Sequence, residues 1–350
     1  MSSAHVFDPV IDQSDKAADR FVIGNVQYTE IYNSYKRALA SFWVLETVDL
    51  ATDYAGFEKL SDDEKNFILM VLAFFAGSDG IVLENLAGRF CVEVQLPEAR
   101  LFYGLQAAIE NIHSETYIEL LRVYERDGAK REQLFRAIDE IPAVRTKAEW
   151  AMRWMNSDLP FGERLIAFAA VEGILFSSSF AAIFYFRKRG IPLPGLYQSN
   201  SYIARDEGLH CEFACLLHRT LQPHNRCEPK KIAEIVRSAV AVEEQFVHAA
   251  LAKPILGMNA KIMVQYVRFV ADVLLQMLGC AKAFDVENPL PFMESISMTT
   301  KVNFFERRVT EYSLANVSVD KAERPRRARG GDDEEKTVEP PAEFSTDADF

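Results

Sequence analysis

The chain has 350 residues, of which 49% are hydrophobic and 26% are charged. This balance supplies enough apolar side chains for a sizeable core and excludes a chain that is disordered throughout. The formal net charge of −12 argues against a nucleic-acid backbone or an anionic membrane as the main partner, because both are polyanions.

The cysteines are odd in number and form no Cys-x-x-Cys pair. They are Cys91, Cys211, Cys215, Cys227 and Cys280. The N-terminus shows no signal-peptide pattern. Together these features predict free thiols in a reducing compartment, and therefore a cytoplasmic location.

The predicted elements begin after a stretch of 25 residues without clear periodicity, which we expect to be a loose N-terminal arm. From Glu30 onward, apolar residues recur at three- and four-residue spacing, as in helices. Ser61 and Glu64 form a capping-box pattern that predicts a helix from about 62 to beyond 85, and Pro97 begins another that runs past Tyr124. Further helices are predicted over about 131–137, 145–155, 161–188, 192–220, 229–252 and 259–280.

Strand-type alternation is scarce, so the sequence predicts an all-α bundle over residues 26–317. Its most apolar stretch, Leu165 to Phe186, carries Glu172 together with serine and glycine residues. We interpret this stretch as a buried helix that presents one carboxylate inward, and we expect no membrane partner.

The composition changes near residue 318. Residues 321–329 are basic, residues 332–335 are acidic, and Pro340 and Pro341 follow, so we predict a flexible tail over 318–350. The basic block fits a nuclear-import patch as well as a solvated charge run, and the second is the simpler interpretation. The tail ends in an aromatic-acidic peptide that contains Phe344, Asp347, Asp349 and Phe350. From composition alone this peptide is either a docking segment or a solvated terminus.

Two Glu-x-x-His quartets stand within the predicted helices. They are Glu110 to His113 and Glu207 to His210. Residues three apart on a helix share a face, about 5–6 Å apart at Cβ, so each quartet can aim a carboxylate and an imidazole at one point. One quartet alone is weak support for a metal site, since surface pairs at this spacing are common.

Two further acids lie in apolar helical segments. Asp79 follows Leu72-Ala-Phe-Phe-Ala76, and Glu172 is flanked by Ala-Val and Gly-Ile-Leu. A buried lone charge is costly, so each acid needs a partner. An ion pair with a distant Lys or Arg must be invoked separately for each, whereas one metal site explains both. An acid from each of two helices and Glu-x-x-His from each of two others is the pattern of carboxylate-bridged dinuclear sites, suited to iron or manganese.

Several residues are placed to surround such a site. Tyr117 lies four residues after His113 on the same helix face, so it is either a redox residue or a core tyrosine. Phe176, Phe180 and Ile203 fall on the faces of Glu172 and Glu207, where they form ordinary core, an apolar wall around a radical, or both. Asp206 is a candidate partner for the His113 imidazole. Trp43 is a candidate redox residue, with a core role as the default.

The chain resembles the small subunit of eukaryotic-type class I ribonucleotide reductases over about residues 25–317 and the last seven residues. The segments that carry the resemblance are specific. They are Phe75-Ala-Gly-Ser-Asp-Gly-Ile81, Glu110-Asn-Ile-His-Ser-Glu-Thr-Tyr117, Ala170-Val-Glu-Gly-Ile174, Ala204-Arg-Asp-Glu-Gly-Leu-His-Cys-Glu-Phe-Ala214, Asn303-Phe-Phe-Glu-Arg-Arg-Val-Thr-Glu-Tyr312 and Asp347-Ala-Asp-Phe350.

The resemblance implies a ferritin-like fold with two iron ions, a tyrosyl radical generated with O2 on Tyr117, and a homodimer. It implies that Trp43, Asp206 and His113 begin a long-range electron and proton route, which Tyr312 continues to the large subunit. The terminal peptide would dock on that subunit, where ribonucleoside diphosphates are reduced. The metal ligands it implies are Asp79, Glu110, His113, Glu172, Glu207 and His210.

The spacer between Tyr312 and the terminal peptide is longer than this resemblance leads us to expect. Three alternatives stay open at this point. A related di-iron oxidase or desaturase uses paired Glu-x-x-His helices, but it has no use for Tyr312 or the aromatic-acidic terminus. An iron-handling ferritin-like protein gives no reason for Trp43 and Tyr117. A paralogue that has lost its metal conflicts with six competent ligand positions.

Overall fold

The computed structural model describes residues 6–14, 23–24, 26–252, 255 and 258–293. Apart from an isolated bridge between Ile255 and Met258, this part of the chain contains no β-structure, which confirms the all-α prediction. The helices, in chain order, are α1 (Thr29–Ala40), α2 (Asp53–Phe57), α3 (Asp62–Asn85), α4 (Pro97–Tyr124), α5 (Gly128–Phe135), α6 (Ala137–Glu140), α7 (Pro142–Met155), α8 (Phe161–Ala170), α9 (Ser177–Lys188), α10 (Pro194–Thr220), α11 (Pro229–Ala250) and α12 (Ala260–Met277).

The helix starts follow local sequence signals. Ser61 accepts a hydrogen bond from the Glu64 amide, and the Glu64 carboxylate accepts one from the Ser61 amide, so the capping box before α3 is complete. Proline occupies the first helical position of α4, α7, α10 and α11, where no amide donor is needed.

The helix predicted over 161–188 is interrupted. A π-helical segment, Val171–Leu175, separates α8 from α9, and it contains Glu172. A second π segment, Leu86–Phe90, continues α3 into a short turn at Cys91–Glu93. Each π turn accommodates one extra residue, an irregularity that is frequent at functional sites. Three- and four-residue periodicity cannot reveal it.

Asp53 ties α10 to the rest of the bundle. Its two carboxylate oxygens accept hydrogen bonds from the amides of Gly195 and Leu196, at the N-terminus of α10, and from the Tyr124 hydroxyl at 2.7 Å. A carboxylate at this position satisfies free amides and complements the helix dipole. The helix that carries Glu207 and His210 is thereby held at its start against α4.

The described part of the N-terminal arm is anchored rather than loose. Asp8 and Val10 are fully buried. The Asp8 carboxylate accepts hydrogen bonds from the Gln222 amide and the Asn225 side chain, and the Val10 carbonyl accepts one from Gln95. These contacts are made by short polar side chains far away in sequence, so periodicity gave no sign of them.

Residues 294–350 are outside the described part of the chain. The predicted tail, Tyr312 and the Phe344–Phe350 peptide therefore stay sequence predictions.

Two helical stretches, 62–93 and 161–188, are long and apolar enough to cross a membrane by length and composition alone. Their most apolar windows are 61% and 94% buried inside the protein, as in core helices of soluble proteins. The second stretch contains Glu172, which is 3% exposed. Its apolar character therefore serves the core of the bundle.

Candidate metal centre

Four helical elements bring the six sequence-predicted ligands to one point in the core. All six side chains are buried, at most 3% exposed. Asp79 comes from α3, Glu110 and His113 from α4, Glu172 from the π segment, and Glu207 and His210 from α10.

The side chains form two sets that share one member. Asp79, Glu110 and His113 form one set, and Glu110, Glu172, Glu207 and His210 form the other. Within each set, one ligand atom per residue lies within 4.8 Å of the others. Since Glu110 belongs to both sets, its carboxylate is placed between two neighbouring cation positions.

Both imidazoles direct Nδ1 at the carboxylates. The His113 Nδ1 atom lies 3.3 Å from Glu110 and 3.2 Å from Glu207. The His210 Nδ1 atom lies 3.1 Å from Glu110 and 3.4 Å from both Glu172 and Glu207. These separations leave the ring nitrogens and carboxylate oxygens facing a common interior point.

The electrostatics of the cluster show an excess of negative charge. Burial raises the pKa of Asp79 well above its usual range, and the Glu110 carboxylate adds to this; burial likewise raises the pKa of Glu172. Burial would also raise the pKa of Glu110, but contacts with His113 and His210 lower it to about 2. For both histidines burial is outweighed by carboxylates, which raise the imidazole pKa well above the usual range.

Several buried atoms of the cluster have no hydrogen-bond partner. They are both carboxylate oxygens of Asp79, one oxygen each of Glu110, Glu172 and Glu207, Nδ1 of His113 and Nε2 of His210. Buried polar atoms are rarely left unpaired, so a coordinated cation is the natural partner. Four carboxylates balance the charge of two divalent cations, and oxygen and nitrogen donors suit iron or manganese. The residues therefore fit a dinuclear metal site.

A polar chain leads from this site toward the protein surface. His113 Nε2 lies 3.3 Å from the Asp206 carboxylate, which accepts a 2.7 Å hydrogen bond from the Trp43 indole. Arg205 donates to the other Asp206 oxygen. Burial opposes ionisation of Asp206, but its contacts with His113 and Arg205 lower its pKa. The structure thus joins Trp43, Asp206 and His113, as predicted, and adds Arg205.

Gln106 is a site residue that the sequence reasoning missed. Its buried amide donates to Glu172 at 2.8 Å and to Glu110 at 3.4 Å. Gln106 lies four residues before Glu110, so it shares the ligand face of α4. A polar side chain at that position in an apolar face was the signal that could have revealed it.

Tyr117 lies on α4 beyond His113 and is 2% exposed. Its hydroxyl has no hydrogen-bond partner, and its ring stacks on Phe75 at 4.6 Å between centroids with 6° between planes. Burial raises the Tyr117 pKa well above that of a free phenol, and the negative charge of Asp79 adds to the effect. The phenol therefore keeps its proton.

An aromatic cluster contacts the Tyr117 ring through Phe75. Phe176 and Phe180 contact Phe75 at centroid distances of 5.6 and 4.8 Å. Ile203 is 1% exposed and lies in the core on α10. The predicted apolar wall thus includes Phe75, which the sequence reasoning had assigned no role.

An all-α bundle with a buried pair of cation positions, ligated by carboxylates and histidines from four helical elements, defines a ferritin-like protein with a dinuclear metal site. The family model for the ribonucleotide reductase small chain matches residues 20–289. The chain belongs to this family.

Relatives of known sequence and structure agree with this assignment. The chain is 52% identical to the Variola virus ribonucleoside-diphosphate reductase small chain over 303 residues, 86% of this chain and 94% of that one. It is 51% identical to the small subunit of Dictyostelium discoideum over 313 residues, 89% of this chain and 91% of the relative. The solved Rnr4 homodimer of Saccharomyces cerevisiae matches with a TM-score of 0.75 and 36% identity, covering 87% of this chain and 92% of that one.

The protein is therefore a small subunit of ribonucleotide reductase, an oxidoreductase subunit that works with a large subunit.

We expect Asp79→Asn to have opposite effects on metal affinity and on the stability of the metal-free protein. Loss of a ligand should weaken binding of one of the two ions by at least about 10–100-fold, as even outer partners of a site do. Removing a carboxyl whose ionisation is opposed by burial should raise the free energy of unfolding of the metal-free protein at neutral pH by about 1–2 kcal/mol. Anaerobic calorimetric titration with Mn²⁺ and urea denaturation measure the two effects.

Glu149→Gln, which neutralises an exposed carboxylate on α7, is the matched control and should change neither quantity. Unaltered metal affinity in Asp79→Asn would exclude Asp79 as a ligand.

Proposed function

We propose that this subunit binds two iron ions in the carboxylate–histidine cluster and uses O2 to form a stable radical on Tyr117. The observation that carries the proposal is the Tyr117 phenol, fully buried beside the cluster and without a hydrogen-bond partner. When bound, the iron pair supplies the one-electron oxidising power that O2 alone delivers too slowly. Asp79, Glu110 and His113 would hold one ion, and Glu172, Glu207 and His210 the other, with Glu110 between them.

The surrounding residues control what reaches the phenol. Phe75 covers one face of the Tyr117 ring, and Phe176 and Phe180 pack against Phe75, so water and reductants are excluded. Gln106 orients the Glu110 and Glu172 carboxylates through its amide. A raised pKa keeps the phenolic proton in place until the ring is oxidised.

The chain of contacts from His113 through Asp206 to Trp43 supports a route for the radical equivalent out of the core. Its links are 3.3 and 2.7 Å long, and Trp43 is 7% exposed, close to the surface. Asp206 holds a proton position between an indole N–H and an imidazole, so an electron and a proton can move together. Tyr312 would continue the route to the large subunit, where ribonucleoside diphosphates are reduced to DNA precursors.

We place this activity in the cytoplasm, where free thiols persist. All five cysteines are free in the structure, consistent with that location.

The radical proposal is tested by loading the metal-free protein with ferrous iron, admitting O2 and recording electron paramagnetic resonance spectra. Wild type should show a tyrosyl signal, and Tyr117→Phe should lack it while binding the same amount of iron. Tyr124→Phe, a buried tyrosine of the same helix whose hydroxyl donates to Asp53, is the control that should retain the signal. Iron bound without a radical in wild type would favour an oxidase, an iron-handling role or manganese.

Docking of the C-terminal peptide is tested by deleting residues 344–350. We expect turnover with the large subunit to be lost, because the aromatic side chains Phe344 and Phe350 are the apolar anchors of the peptide. Iron content and the Tyr117 signal should be unchanged, since these residues are remote in sequence from the site. Unchanged turnover would contradict the docking proposal.

The surface formed by α3, the π segment after it and α4 supports a homodimer. Small apolar residues are exposed along it: Gly80 on α3, Ala87 and Gly88 on the π segment, and Gly104 and Ala108 on α4. A Cβ atom added to Gly80, Gly88 or Gly104 would meet nothing beyond its neighbouring residues within 4 Å, so this surface has room for the close approach of a second chain. An apolar surface of this kind is typical of obligate interfaces.

We expect sedimentation velocity to report the mass of two chains for wild type and of one chain for Ala87→Arg/Ala108→Arg, because two buried charges would face the interface. Ala129→Arg, at an exposed alanine on α5, is the control and should remain dimeric. A wild-type monomer at micromolar concentration would contradict the homodimer.

A further inference from the structure

An oppositely charged pair lies in the core outside the metal site. Lys147 on α7 and Glu243 on α11 are 1% and 0% exposed, with Nζ 2.7 Å from the carboxylate. Ser178, near the start of α9, donates its hydroxyl hydrogen to the other Glu243 oxygen. Burial lowers the Lys147 pKa to about 8 and raises the Glu243 pKa, with the pair's own attraction opposing both shifts. Two apolar residues at these positions would stabilise the protein at least as well as the ion pair, so stability alone does not explain the pair.

The Lys147 ammonium group contacts two aromatic rings. Nζ is 3.4 Å from the centroid of Phe74 and 3.9 Å from that of Phe246, and the rings are 5.2 Å apart. A desolvated cation attracts the faces of both rings. Lys147 therefore fixes the position of Phe74 more firmly than an aliphatic neighbour would.

Phe74 passes this constraint to the residues around Tyr117. Its centroid lies 5.5 Å from Phe75 and 5.7 Å from Phe176, and Phe75 stacks on Tyr117. Ser178 connects the same pair to the backbone just after the π segment that carries Glu172. Two rings, those of Phe74 and Phe75, thus connect the Lys147 ammonium group to Tyr117. The Glu243 carboxylate connects the same ammonium group to Ser178, near the start of α9.

We propose that Lys147 and Glu243 are positioning residues that hold Phe74, and through it hold Phe75 against Tyr117. They thereby set the orientation of the Tyr117 ring and the lifetime of its radical. This inference rests on the proposed radical function.

The test uses the double variant Lys147→Met/Glu243→Met, which removes both charges without leaving one buried alone. After loading with ferrous iron and O2, the radical should form. Its β-proton hyperfine splitting, which reports the ring orientation, should shift from the wild-type value. Its decay in the presence of hydroxylamine should accelerate by about threefold or more, since the cation–π contact no longer holds Phe74.

Arg164→Met is the matched control. It removes another buried cation, and its partner Glu93 keeps an ion pair with Arg89. The splitting and decay rate should equal those of wild type even if the melting temperature falls. If the double variant does not fold, Phe74→Leu, which keeps the charged pair but breaks its link to Phe75, carries the same expectation.

Wild-type splitting and decay in the double variant, or in Phe74→Leu where the double variant does not fold, would overturn the inference. Absence of a radical in wild type would instead overturn the proposed function. In that case 4-fluorophenylalanine at position 75 tests the positioning alone, in metal-free protein. A broader range of ring environments in the variant than in wild type supports the positioning role, and identical fluorine spectra overturn it.

Discussion

The structure depends on the burial of four carboxylates around one point. Asp79, Glu110, Glu172 and Glu207 repel one another in a region of low dielectric, and two imidazoles offset only part of that repulsion. Two divalent cations would neutralise the four charges. The helices that carry the ligands must therefore be rigid before the metal binds, and the apolar bulk of α3, α8 and α9 together with the Asp53 clamp on α10 provides that rigidity.

The ligand positions were predictable because each is marked by a rule that operates within a single helix. Glu110 and His113, like Glu207 and His210, share a face three residues apart, and Asp79 and Glu172 are charges that the surrounding apolar residues cannot tolerate alone. The all-α architecture followed from periodicity in the same way. These signals need no knowledge of how the helices pack.

Other features depend on tertiary packing and could not be predicted from the sequence. The Lys147–Glu243 pair joins two residues that are nearly a hundred positions apart in the sequence, and neither side chain interrupts the pattern of its own helix clearly enough to be noticed. Phe75 has a role at the site because its ring stacks on that of Tyr117, a contact that the sequence does not reveal. The anchoring of Asp8 on Gln222 and Asn225 is equally nonlocal. The contact between Trp43 and Asp206 was predicted from the family resemblance alone, because no helix-spacing rule applies to residues 163 positions apart.

The π segment at Val171–Leu175 makes the position of the Glu172 carboxylate depend on the number of residues in this segment. A π turn holds one residue more than the α-helix it interrupts, so deleting a single residue there would let the helix close into regular α geometry. The flanking turns would keep their places, with Arg164 and Phe168 before the segment and Phe180 after it. The position of Glu172 within the segment would change. A one-residue deletion in α8 or α9 would instead rotate every side chain beyond it by about 100°. Homologous chains can therefore exchange residues within the π segment only if they preserve its number of residues.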